Sequence, residues 1–215
     1  IKGFHNIRHR FVQWDEALKR DAAGRKKELS EEIGWIESRR GDMLGFWSKV
    51  EEGTIPTRVT HNDTKINNIL FDRQGEVLCA IDLDTVMAST SLNDFGDAIR
   101  SYANTGDEDD RDLSRVGLSL EMFRAYTEGY LSQRAKQLTD SEIDHLAFSA
   151  RYITFEQVLR FLMDYIDGDT YYKVKYPGHN LVRTHAQYRL LQSMEEHYGE
   201  MCRIVRETVD KYRKA

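Results

Sequence analysis

Residues 57 to 84 constrain this chain most, because there the hydrophobic pattern switches from helical to strand spacing. Residues 57–60, about 68–72 and 77–82 read as short strands. Asp72-Arg73-Gln74-Gly75 has the composition of a hairpin turn between the second and third. Nearly everything else carries helical spacing, and only two prolines occur, Pro56 and Pro177. Leu29, Ile33, Ile36, Met43, Trp47 and Val50 predict one long amphipathic helix over about 22–51. Gly34 and Gly41 weaken its interior, and Glu52-Gly53 with Pro56 ends it. Thr139-Asp140-Ser141-Glu142 fits a capping box, opening a helix that carries Ile143, Leu146, Ala147, Ala150, Ile153, Phe161 and Leu162. An irregular segment over about 167–180 precedes a last helix, about 183–214. The expected fold class is mainly α with a small β-hairpin cluster (α+β), the strands embedded in helices. With 215 residues there is chain enough for one sizeable core.

The loops at the strand ends hold the chemistry. The first reads His61-Asn62-Asp63-Thr64-Lys65-Ile66-Asn67-Asn68, and the second Ile81-Asp82-Leu83-Asp84. An Asp followed five residues later by an Asn, then by an Asp on a buried strand, is the layout of a phosphoryl-transfer site. Asp63 can take the proton of an attacking hydroxyl. Asn68 can offer its amide oxygen to a magnesium ion, and Asp82 can supply the main carboxylate. Magnesium is held by hard oxygen ligands, usually one or two carboxylates plus phosphate oxygens. Either half of the pattern alone would arise by chance; the joint pattern, with its strand–turn–strand context, is the informative one.

Composition removes other classes. The net charge of −5 gives a nucleic-acid partner no electrostatic support. No run of 18 apolar residues predicts a membrane span, and the N-terminus has no signal-peptide core. Only Cys79 and Cys202 are present, which points to a reducing, cytoplasmic compartment. Cys79 lies in the apolar strand and is expected to be a small core residue. Seven scattered His and no Cys-x-x-Cys argue against structural zinc.

The chain resembles the aminoglycoside phosphotransferase and choline kinase family, whose fold is protein-kinase-like. Three stretches carry the likeness: His61 to Asn68, Ile81-Asp82-Leu83-Asp84-Thr85-Val86-Met87, and Asp94-Phe95-Gly96-Asp97-Ala98-Ile99-Arg100. Their flanks, with Arg160 to Asn180, are most similar to the N-acetylhexosamine 1-kinase branch. The resemblance implies Asp63 as catalytic base, Asn68 and Asp82 as magnesium ligands, and Asp84 as an auxiliary acidic group. It places Arg160 and Tyr171 on the sugar, and implies ATP as co-substrate. Ala88-Ser89 departs from the Pro-Gly expected after Val-Met, which bears on fine specificity. Before residue 57 the chain has neither a Gly-rich phosphate loop nor a strand lysine. The expectation is therefore a C-terminal lobe over 1–215, with catalytic loop and metal hairpin at 57–87 and a helical substrate subdomain at 94–215. A nucleotide-binding N-terminal lobe would be absent, the chain inactive alone, and the uncovered face able to drive self-association.

Several residues have a plainer reading beside the functional one. His61 is expected to brace the catalytic loop rather than move protons. Lys65 is either a cationic clamp on the transferred phosphoryl or a solvated loop lysine. Asp94 either caps its helix or braces the catalytic loop. Asp97 and Arg100 can pair along one helix face. Arg160 has Glu156 and Asp164 four residues to either side, so a simple salt bridge competes with sugar binding. Two other functions stay open: a phosphotransferase acting on an aminoglycoside, choline or another amino alcohol, and a non-catalytic sugar- or partner-binding lobe.

Overall fold

The computed structural model describes residue 1 and residues 3–214. Its centre is α6 (Asp140–Ile166), which opens with the expected capping box: the Thr139 hydroxyl accepts from Glu142 N, and the Glu142 carboxylate accepts from Thr139 N. Beyond that turn Leu146, Ala150, Tyr152, Phe155, Val158 and Leu162 are all buried. A helix apolar on nearly every side must be surrounded. It is flanked by α4 (Ser91–Tyr102), α7 (His179–Glu196), α1 (Ile7–Arg20) and α8 (Tyr198–Arg213), while α5 (Leu120–Arg134) packs on α8. The α4–α6 contact is backbone to backbone. A Cβ added at Gly96 would lie 2.3 Å from the Ser149 carbonyl oxygen, so only glycine fits there.

Four short strands form two antiparallel pairs at one side of this helical body. β1 (Arg58–Thr60) pairs with β4 (Met87–Ser89), with Val59 opposite Ala88. β2 (Ile69–Phe71) and β3 (Val77–Ala80) form the expected hairpin, with Leu70 opposite Cys79. Its turn closes with Gly75 at φ 86°, a conformation that suits glycine, and with Asp72 N donating to Glu76 O. The fold class is thus mainly α with a small hairpin cluster, as the sequence implied.

The structure corrects the reading at several points. The helix expected over 22–51 is a 3-10 turn (Lys26–Glu28), α2 (Ser30–Glu37) and α3 (Arg40–Glu51). Long-range anchors break it: Arg25 bonds Asp169 and the Tyr165 carbonyl, and Arg39 forms a two-pronged pair with Glu195 while Trp35 stacks on Tyr188. The last helix is two, α7 and α8, which meet at His197 just before Gly199. β4, which contains the Ala88-Ser89 departure, was not anticipated. Cys79 is exposed rather than core, because a two-stranded hairpin with all four β3 residues exposed has no layer covering it. Asp82 likewise is not on a buried strand: β3 ends at Ala80, and Asp82 is exposed in a left-handed turn at φ 61°.

Candidate active site

The loop after β1 is held from its backbone. Asp94, in the first turn of α4, accepts from His61 N at 3.0 Å and Asn62 N at 2.7 Å. Burial pushes the Asp94 carboxyl above its usual range, and the two amide donors oppose that shift. Further along α4, the Asp94 carbonyl accepts from Thr64 Oγ1 and Ser101 Oγ from Ile66 N. Asn62 takes φ 64°, which Asn tolerates better than most residues. Its side chain donates to the Thr60 and Thr85 carbonyls. His61 Nε2 lies 3.1 Å from the Ile81 carbonyl, tying this loop to the one after β3. A carbonyl can only accept, so the ring donates there, and Nδ1 is buried without a partner among the described residues.

Asp63 is presented at the tip. One carboxylate oxygen, Oδ2, accepts from Lys65 Nζ at 2.8 Å and from Asn68 Nδ2 at 2.8 Å. The other, Oδ1, makes no hydrogen bond among the described residues. Asn68 is buried and commits its Nδ2 to the Asp63 carbonyl as well, so its Oδ1 is the free end. Ile81 N donates to the Asn68 carbonyl at 2.9 Å, which brings Asp82 next to Asn68.

Asp82 and Asp84 face each other at this edge. A hydrogen bond with Asp84, followed by its charge and that of Asp63, pushes the Asp82 carboxyl above the usual carboxylate range, with Lys65 opposing. Crowded carboxylates of this kind are relieved by a cation. Among the described residues no three His, Cys, Asp or Glu side chains form a closed metal cage. The open set of Asn68 Oδ1 and Asp82 instead fits magnesium, which fills its remaining positions with water and phosphate oxygens.

Two cavities matter here, and only the first is lined by residues of this loop. One, of about 280 Å³, is lined by Lys65, Asn67, Arg100, Asp107, Glu108 and Gln187. Lys65 places it beside the Asp63 carboxylate, and Arg100, buried and paired with Asp97, forms part of its wall. The second, of about 200 Å³, is lined by Arg10, Gln13, Arg160, Thr170, Tyr171 and Tyr172. Neither competing salt bridge of Arg160 forms. Glu156 is engaged by His5 and Arg10, and Asp164 accepts from the amides of residues 170–172 and from Asn180. Arg160 is left against Tyr171 and Tyr172, 5.9 and 5.5 Å from their ring centres. Tyr171 is exposed. Neither Arg160 nor Tyr171 hydrogen-bonds the Asp63 loop.

His5 has no sequence signal. It touches Asn62 across 57 positions and Glu156 across 151, separations no local pattern reports. A model of the phosphotransferase enzyme family matches residues 3–131, from His5 through the Asp63 loop, the hairpin and all of α4. The family-level resemblance to aminoglycoside phosphotransferases and choline kinases therefore holds, and the chain belongs to the phosphotransferase enzyme family.

Proposed function

We propose that the chain carries the base, metal ligands and acceptor site of an ATP- and magnesium-dependent kinase that phosphorylates a hydroxyl of a small sugar, an N-acetylhexosamine in the first instance. One observation carries this: Asp63 is pinned through a single carboxylate oxygen by Lys65 and Asn68, its other oxygen makes no hydrogen bond among the described residues, and the same Lys65 lines a polar cavity. A carboxylate so held can orient a hydroxyl and accept its proton. Lys65, already paired to Asp63, is placed to offset charge on the transferred phosphoryl. Asn68 and Asp82 would hold magnesium, with Asp84 alongside. The metal, when bound, neutralises nucleotide phosphate oxygens. Arg160 and Tyr171 would bind the sugar from the second cavity, a cation and an aromatic face suited to hydroxyls and a ring.

The exposed apolar surface of the strand cluster, with Val59, Val77 and Leu78 each more than half exposed, supports reading the chain as one lobe. A second lobe would then cover the nucleotide. A second acceptor class has its own support: Asp107 lines the cavity at Lys65, beside Glu108 which is paired with Arg100, and a carboxylate there suits a cationic aminoglycoside or amino alcohol. The test is transfer from ATP–magnesium to N-acetylglucosamine, N-acetylgalactosamine, choline and kanamycin, with the chain alone and joined to any sequence encoded upstream. Asp63→Asn should lower kcat by roughly 10²–10⁴. Near-normal turnover in that variant removes Asp63 as base, and preference for choline or kanamycin selects the second acceptor class.

A further inference from the structure

His5 is a buried titratable group in contact with the Asp63 loop that this mechanism does not use. It is 8% exposed, and both ring nitrogens face acceptors: Nδ1 lies 2.6 Å from Glu156 Oε2 and Nε2 lies 2.9 Å from the Asn62 carbonyl. A neutral imidazole has one N–H and cannot serve both. The Asn62 carbonyl cannot donate, so Nε2 must. The short Nδ1 contact then needs a proton on the ring or on Glu156.

The surroundings put it on the ring. On α6, Glu156 is 1% exposed and has Arg160 one turn away; from α1, Arg10 Nε reaches its other oxygen at 3.2 Å. Burial works against the Glu156 charge, but His5, Arg160 and Arg10 outweigh it and hold the carboxyl at about 2. Asp97 and Asp94 of α4 also act on His5 or feel its charge, and Tyr152 donates to the His5 carbonyl at 2.7 Å. Burial alone would lower the His5 pKa, yet Glu156 and Asp97 raise it.

The bond to Asn62 has a geometric consequence. Asn62 sits in a left-handed turn, and its carbonyl belongs to the peptide that leads into Asp63. Asp94 fixes the Asn62 amide, and Thr60 and Thr85 fix its side chain. Among the described residues His5 alone holds the carbonyl. Rotation of that peptide plane would swing Asp63 away from Lys65 and Asn68.

We infer that His5, doubly protonated and braced by Glu156, is a positioning residue that locks the Asn62–Asp63 peptide and so aims the Asp63 carboxylate. This rests on the reading of Asp63 as base. Because Glu156 also binds Arg10, a wall of the Arg160 cavity, the same carboxylate ties the proposed sugar site to the catalytic loop.

The first test needs no activity. In ¹⁵N-histidine NMR of the chain, both His5 ring nitrogens should be protonated at pH 7, and Glu156→Gln should remove one proton; a singly protonated ring in the unaltered chain overturns the inference. The second uses the active enzyme. His5→Gln and Glu156→Gln should each lower kcat roughly 10–10²-fold, the scale of a small misplacement, with KM for ATP within about twofold. The unaltered enzyme should lose kcat as pH rises through the His5 pKa, and His5→Gln should lack that limb. If Asp63→Asn is inactive while both variants turn over normally, the positioning role is wrong and the base assignment stands. If Asp63→Asn is fully active, the base assignment fails and the catalytic part of the inference fails with it. Should His5→Gln not fold, Glu156→Gln and the ring titration decide.

Discussion

Replacing Gly96 with Ala tests how tightly the helical body positions the site. The new Cβ would lie 2.3 Å from Ser149 O, 2.7 Å from Ser149 C and 2.9 Å from Ile153 Cγ1. A carbon normally approaches a carbonyl oxygen to about 3.3–3.6 Å, so α4 and α6 must part by about 1 Å. Backbone obstructs on the α6 side, where no rotamer change gives relief, so the upper part of the overpacking range applies, about 3 kcal/mol. Ala over Gly in a helix returns about 1 kcal/mol, leaving a net loss of about 2 kcal/mol. With a urea slope of about 2 kcal/mol/M, the midpoint should fall by about 1 M. Gly129→Ala on α5 is the control: nothing lies within 4 Å of its Cβ, so the same chemical change should raise the midpoint. Asp94, two residues before Gly96, would move with α4 and stretch its 2.7 and 3.0 Å bonds to the Asp63 loop. Turnover should therefore fall by about 10²-fold in Gly96→Ala and be unchanged in Gly129→Ala. A Gly96→Ala midpoint at or above that of the unaltered chain would refute the backbone-contact argument.

Crystals soaked with nucleotide and magnesium should show metal density between Asn68 and Asp82, with oxygen ligands at about 2.0–2.1 Å; a metal bound without either residue would refute the assignment. Arg160→Ala should raise KM for the proposed sugar while sparing kcat, with a modest stability loss because Arg160 packs over Tyr171 and Tyr172 and helps hold the Glu156 charge; unchanged KM would return it to a structural role. Glu142, bonded to Arg58, Ser91 and Thr139 N, is buried, which raises its carboxyl, but those donors outweigh burial and bring it from 4.5 to about 2. Its contribution to stability is present above pH 4.5 and lost as pH falls toward 2. Denaturant midpoints over that window should fall less steeply in Glu142→Gln; identical slopes would contradict the assignment.

Much of the architecture was legible because it is local. The Thr139–Glu142 cap and the Asp72–Gly75 turn each close within five residues, so spacing alone brings the partners together. The bonds of Lys65 and Asn68 to Asp63 are just as local, but the sequence reading assigned those side chains to phosphate and metal and did not anticipate them. Helical periodicity likewise marked which residues of α6 share an apolar environment. It does not say what lies opposite. The breaks at Asp21–Arg25 and Ser38–Arg39 follow from pairing with Asp169 and Glu195, far along the chain. Burial of Cys79 depended on a layer over the hairpin that the fold does not supply. Arg160 escapes pairing with Glu156 and Asp164 because His5, Arg10 and the 170–172 amides reach those carboxylates first. Which residues can be partners is written in their chemistry and local spacing. Which of them meet is decided when the helices pack, because a long-range contact forms only where packing has already met the entropy cost of closing the loop between them.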